Sequence, residues 1–162
     1  MNISLRPFAL ADQEFLFQLY AETRRQEVAA WGWNHEQQDA FLRMQFNAQQ
    51  RWYEMAYEGA EHQIIECETG PIGRIMVMRG DSFILLVDIA LLAEYRGRGI
   101  GSSLLGGLLD QGDRGRVPVR LRVLKTNPAR RLYERLGFVP AGEDEMYLHM
   151  DRLPKELNAG GL

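Results

Sequence analysis

A chain of 162 residues with 46% apolar content can bury one ordinary core, so a single domain is expected. Its 19 Lys and Arg against 22 Asp and Glu leave a formal net charge of −3, which supplies no bulk attraction for nucleic acid. No apolar stretch approaches the roughly 18–20 residues of a membrane-spanning helix, because Asp88 interrupts the longest one, and MNISLRPFALAD at the N-terminus lacks the basic start and apolar centre of a secretory signal.

ISLRPF (3–8) reads as a first strand. Phe15, Leu16, Leu19 and Tyr20 then recur at helical spacing and predict a helix from about Asp12 to Glu27. AWGWN (30–34) breaks it, and Asn34 with Gln37 three residues on has the form of a capping box opening a second helix. Along that helix Phe41, Met44, Phe46, Ala48, Trp52 and Met55 return roughly every three or four positions. The period then shortens: HQIIECE, IGRIMVMRG and SFILLVDIALL are β-rich runs separated by TGP and RGD, so 62–92 reads as an antiparallel meander. Cys67, a small strand residue in the first run, is the one cysteine and can staple nothing, which suits a reducing cytoplasm. His35, His62 and His149 are scattered without metal-ligand spacing, so no metal is expected.

After the meander comes EYRGRGIG (94–101), and then Leu104, Leu105, Leu108 and Leu109 on one stripe of a helix over 99–115, with Gly112 or Gly115 as its stop. Val119, Leu121 and Val123 alternate with Arg120 and Arg122, as in a half-buried strand. In NPARRLYERLGF (127–138), Asn127 reads as the N-cap, Pro128 as the first helical residue and Gly137 as the end. FVPAG and EMYLHMDR make a last strand pair, and LPKELNAGGL (153–162) a flexible tail.

The three glycines of EYRGRGIG stand where a strand turns into a helix. Such a corner is either a plain turn or a phosphate site, with successive N–H groups and a helix N-terminus aimed at one anion. A nucleoside-triphosphate loop needs Lys and then Ser or Thr after its last glycine, and Ser102 and Ser103 follow Gly101 instead. A dinucleotide fingerprint needs its third glycine at position 102, which is Ser. Arg96, Gly99 and Gly101 do form R-x-x-G-x-G, and with the meander before it this resembles the pyrophosphate loop of the GNAT superfamily of N-acetyltransferases. Asn127, Ala129, Tyr133, Gly137 and Phe138 are similar to that superfamily's next helix, although Asn127 and Tyr133 stand six apart where many members have seven. The resemblance covers roughly residues 2–152 and is strongest over 83–138.

It implies an α/β fold with a mixed, mostly antiparallel central sheet of six to seven strands flanked by about four helices, forming one domain over 1–152. It also implies acetyl-CoA as cofactor and a primary amine as acceptor; cysteine usage, hydropathy and charge add the expectation of a cytoplasmic setting with no membrane or nucleic-acid partner. In such a protein the backbone of Gly97, Arg98, Gly99, Ile100, Gly101 and Ser102, after Arg96, holds the pyrophosphate. The strand end Ile89 to Leu92 pairs with the pantetheine arm, and the backbone near Leu91 polarises the thioester carbonyl. Tyr133 resembles the family's general acid, whose hydroxyl reaches the sulfur. Asn127 meets the pantetheine or merely caps its helix, and Arg130 or Arg131 meets the 3′-phosphate.

Asp88 is the candidate base, since an amine of pKa about 10.4 must lose a proton before it attacks and a charge within an apolar strand needs a reason. Its alternative is a solvated face or an arginine partner. The acceptor side implied by the resemblance includes Arg24, Arg25, Glu27, Trp31, Trp33, Phe41, Tyr53, Glu143, Asp144, Glu145 and Tyr147, a mixture suited to a cationic amine. Trp31 and Trp33 serve equally as core or dimer contacts, which leaves a homodimer open. A CoA-binding sensor without catalysis is the rival function.

Overall fold

The computed structural model describes residues 1–156, so the expected tail lies, from residue 157 onward, outside the described residues. In chain order the elements are β1 (Ser4–Pro7), a 3-10 turn (Leu10–Asp12), α1 (Gln13–Ala29), α2 (His35–Ala56), β2 (Glu61–Cys67), β3 (Gly70–Arg79) and β4 (Ile84–Leu91). A second 3-10 turn (Ala93–Tyr95) leads to α3 (Ile100–Gly115), β5 (Val119–Leu124), α4 (Arg130–Arg135), β6 (Val139–Glu143) and β7 (Tyr147–Arg152). The seven strands are hydrogen-bonded in the order β1-β2-β3-β4-β5-β7-β6. β1–β2, β5–β7 and β6–β7 are antiparallel, and β4–β5 is parallel. With four helices among the described residues, this is the mixed, mostly antiparallel sheet that the resemblance implies.

The chain divides into two compact units, one of Met1–Ile75 with Ile89–Arg96, the other of Met76–Asp88 with the chain from Gly97 onward. In the first, Leu16, Phe17, Leu19, Ala21 and Val28 of α1 meet Leu42 and Phe46 of α2 and Ile64 of β2 in one buried cluster. Asn34 accepts from the Gln37 N–H at 2.9 Å, and the Gln37 side chain accepts from the Asn34 N–H at 3.0 Å, so the capping box forms as read. α2 turns a different face inward from the one its apolar spacing suggests. Gln38, Leu42 and Phe46 are buried, whereas Met44, Ala48, Trp52 and Met55 are exposed. At 3.6 residues per turn, Met44 points about 200° away from Leu42, and Ala48 the same angle away from Phe46.

The start of α1 is tied down by charge. Asp12, 6% exposed, accepts from the Ala9 N–H at 2.8 Å and from both terminal nitrogens of Arg6, which hold its carboxyl below the ordinary carboxylate range.

In the second unit Val119, Leu121 and Val123 are buried and Arg120 and Arg122 exposed, as the alternation predicts. β5 packs on α3 at Gly112, where an added Cβ would stand 2.9 Å from Val119 Cγ2 and 3.0 Å from the Val117 carbonyl oxygen. That glycine is therefore a close-approach residue. α3 runs on to Gly115, and the left-handed residue after it is Arg116, at φ 55°. Asp113 pairs with the buried Arg152 of β7 and accepts from the Lys155 N–H at 2.8 Å, so α3 and the last strand share one ionic anchor.

Candidate functional site

β4 carries Asp88, Ile89 and Leu91. Its parallel register with β5 covers only Ile84–Leu86, opposite Val119–Leu121, although β4 continues to Leu91. β5 itself continues to Leu124, paired along its whole length with β7. The register with β5 is set over Ile84–Leu86, and backbone groups further along the strand need an acceptor or donor of their own. On the opposite edge β3 comes close: a Cβ on Gly73 would lie 2.2 Å from the Ala90 carbonyl oxygen, and the Leu92 N–H donates to the Ile72 carbonyl at 2.8 Å.

Beyond the 3-10 turn the chain reaches the glycine corner. Gly97 and Gly99 have φ of 73° and 81°, the left-handed region that favours glycine. Gly101 has no such φ, and nothing lies within 4 Å of a Cβ built on it. The fold itself does not require that glycine, which marks open space over the backbone. The first hydrogen bond of α3 in this stretch runs from the Ser103 N–H to the Gly99 carbonyl at 3.0 Å. The N–H groups of Ile100, Gly101 and Ser102 therefore precede the helical ladder, at the positive end of a 16-residue helix. Residues 97–102 fit a diphosphate on both counts.

Tyr133 owes its place to how α4 ends. Gly137 adopts φ 97°, its N–H donates to the Glu134 carbonyl at 3.1 Å, and the Phe138 N–H donates to the Tyr133 carbonyl at 3.0 Å. These bonds are a Schellman motif, and its usual apolar contact is made by the Tyr133 and Phe138 rings, 5.8 Å apart and edge to face. Tyr133 is 8% exposed; burial first, and the negative charge of Asp88 second, push its phenol up to about 12. The structure thus brings Asp88 into electrostatic reach of Tyr133, 45 positions apart in the sequence.

The start of this helix differs from the sequence reading. α4 begins at Arg130, because Arg130 and Arg131 N–H groups bond back three residues, to the carbonyls of Asn127 and Pro128, in a tighter turn. Asn127 Oδ1 accepts from the Ala129 N–H at 2.9 Å, so it caps that turn. Arg130 donates to Glu134 Oε1 at 2.8 Å.

Of the expected cofactor residues, Ile89, Leu91 and Arg96 belong to the first unit, and Gly97–Ser102, Asn127, Arg130 and Tyr133 to the second, with Asp88. The Arg96 side chain turns back, donating from Nε to the Leu91 carbonyl at 3.0 Å, with Nη2 3.7 Å from Glu22 Oε1. Glu22 on α1 also accepts from the Ala93 N–H at 2.6 Å. Nothing in the local sequence singles out Glu22; its partners lie 71 and 74 positions on.

On the acceptor side, Trp31, Trp33 and Phe41 stack edge to face with centroids 5.2–5.3 Å apart. Trp31 and Trp33 are exposed, which removes the core alternative for both. Arg25 pairs with Asp39 at 2.9 Å, and the Arg24 guanidinium lies over Tyr20. Asp144 accepts from the Met146 and Tyr147 N–H groups, which fixes the β6–β7 turn, and Glu143 pairs with Lys125 at 3.0 Å. Among the described residues, no group of three His, Cys, Asp or Glu could hold a metal ion, and no helix is long and apolar enough to cross a membrane.

The [ribosomal protein bS18]-alanine N-acetyltransferase of Haemophilus influenzae is 44% identical over 54 residues, a match spanning 33% of this chain and only 37% of that protein. The PaiA N-acetyltransferase of Thermoplasma acidophilum, solved in complex with coenzyme A, has TM-score 0.68 at 19% identity, over 94% of this chain and 99% of that one. The ribosomal-protein-S18-alanine N-acetyltransferase of Escherichia coli has TM-score 0.61 at 18% identity over 99% of both chains. At such identities these two structures establish the fold. Residues 58–140, just over half of the chain and including β4 and the glycine corner, match the model of the acetyltransferase (GNAT) domain, and the chain belongs to that family.

Proposed function

We propose that this protein is an N-acetyltransferase that transfers the acetyl group of acetyl-CoA to a primary amine by direct attack. The observation that carries this reading is Tyr133, a buried phenol pushed up to about 12 beside the charge of Asp88 and fixed by a helix terminus. Acetyl-CoA supplies the acyl group as an activated thioester. The N–H groups from Gly97 to Ser102 and the α3 N-terminus would hold its pyrophosphate, and the β4 edge at Ile89 and Leu91 would pair with the pantetheine amides. Asn127 and Arg130 complete the cofactor contacts; Arg130 would give up its exposed Glu134 pair for a phosphate, a small cost.

Asp88 accepts the proton that the ammonium must lose, directly or through water. Tyr133 would stand toward the sulfur of a bound thioester. A phenol near 12 does not readily give its proton to a thiolate whose conjugate acid has pKa about 8.5, so its contribution is a hydrogen bond to the developing charge. The acceptor is a small-molecule or peptide amine, and the Haemophilus influenzae relative makes an N-terminal alanine peptide the first to try.

The test is calorimetric titration with acetyl-CoA, followed by thiol release over a panel of alanine-ended peptides, polyamines, aminoglycosides and amino acids. Saturable binding with amine-dependent release is the expected result. Binding without release for any amine would favour the CoA sensor.

A further inference from the structure

Where a strand ends, the last backbone donors lose their ladder and must find new acceptors. At the end of β4 the Leu92 N–H still reaches β3, at the Ile72 carbonyl, but the next donor, Ala93, does not. Its N–H is taken by Glu22 Oε1 at 2.6 Å, a hydrogen bond to an ionised acceptor across 71 positions of sequence. The same Oε1 lies 3.7 Å from Arg96 Nη2, and Arg96 Nε closes the loop by donating to the Leu91 carbonyl at 3.0 Å. Leu91, Ala93 and Arg96 are thereby locked to one carboxylate on α1, immediately before Gly97. The Arg96 guanidinium, which the motif would offer to the cofactor, is occupied as a brace.

We propose that Glu22 is a positioning residue for cofactor binding: through Ala93 and Arg96 it sets the strand-to-loop junction 91–96 from which the phosphate-binding glycines depart. The proposal rests on the acetyltransferase reading above. Glu22 touches neither cofactor nor amine in this role, so its loss weakens cofactor affinity and leaves the acyl transfer step itself intact. The Glu22 and Arg96 side chains are 37% and 48% exposed, and an ion pair so open to solvent adds little to global stability. A positioning role and a merely structural one therefore give different results.

The test compares wild type, Glu22→Gln and Glu22→Ala. Gln keeps an oxygen for the Ala93 N–H but loses the charge, whereas Ala loses both. We expect Kd for CoA by calorimetry and KM for acetyl-CoA to rise about tenfold in Glu22→Ala and about threefold in Glu22→Gln, the scale of one charge-assisted hydrogen bond. kcat stays within about twofold, consistent with a loss of uniform binding. The thermal midpoint stays within about 2 °C, and the Ala93 amide exchanges its proton faster in Glu22→Ala. Adding Arg96→Ala to Glu22→Ala costs less than Arg96→Ala alone, because the two act as one brace.

Wild-type CoA affinity in Glu22→Ala overturns the role, as does lost affinity with the Ala93 amide still protected or with a matching fall in thermal midpoint. A wild-type protein that binds neither CoA nor acetyl-CoA would instead overturn the acetyltransferase reading, and this role with it.

Discussion

Tyr133 acquires its chemistry from three neighbours: the left-handed Gly137 that ends its helix, the Phe138 ring that packs on it, and the Asp88 charge that opposes its ionisation. Its phenol is raised from 10.0 to about 12, so the neutral form is the one the fold favours, and Tyr133 stays protonated throughout the working pH range. Tyr133→Phe should lower kcat about 100-fold with the Kd for acetyl-CoA unchanged, the scale of one lost donor to a developing charge. Its pH–rate profile should keep the wild-type shape below about pH 10, because the residue removed does not titrate there. A flattened alkaline limb in the variant would show that Tyr133 ionises much lower. Asp88→Asn, besides lowering kcat, should let the Tyr133 phenol fall part of the way back toward 10, as read by ultraviolet titration of the phenolate. Only part is recovered, because burial is the larger cause.

At the scale of elements, two glycines separate binding from folding. Gly101 has open space around its missing Cβ, so Gly101→Val should unfold near the wild-type midpoint yet bind acetyl-CoA at least tenfold more weakly, the side chain entering the proposed phosphate site. Gly112 has Val119 Cγ2 and the Val117 carbonyl at about 3 Å from a built Cβ, so Gly112→Ala should cost about 1–3 kcal/mol in urea unfolding.

The same elements show what a sequence can disclose. The Asn34–Gln37 box and the β5 alternation rest on neighbours two or three residues away and were legible. The start of α4 was not, because Asn127 and Pro128 serve a tight turn as readily as a helix. Nor was the inner face of α2, where two apolar stripes compete and only packing against α1 decides between them. Glu22 had no local signal, since its partners become neighbours only in the fold.

For the molecule as a whole, stability should depend on two carboxylates, one in each unit: Asp12 held by Arg6 and Asp113 held by Arg152. Both are pushed below the ordinary carboxylate value, first by the arginine hydrogen bonds. The unfolded chain therefore binds more protons than the folded one as pH falls through the carboxylate range. The contribution is fully present above about pH 4–5 and is lost as pH drops through the lower folded values. Asp113→Asn should be less stable than wild type at pH 7, with the difference shrinking below about pH 4, in urea unfolding followed across pH.

Acetyl transfer with Tyr133 at the sulfur is checked by amine-dependent thiol release from acetyl-CoA by wild type and Tyr133→Phe, with acetyl-CoA affinity measured in the same preparations. Wild type should turn over, and the variant about 100-fold more slowly at equal affinity. Equal turnover by both proteins would contradict it.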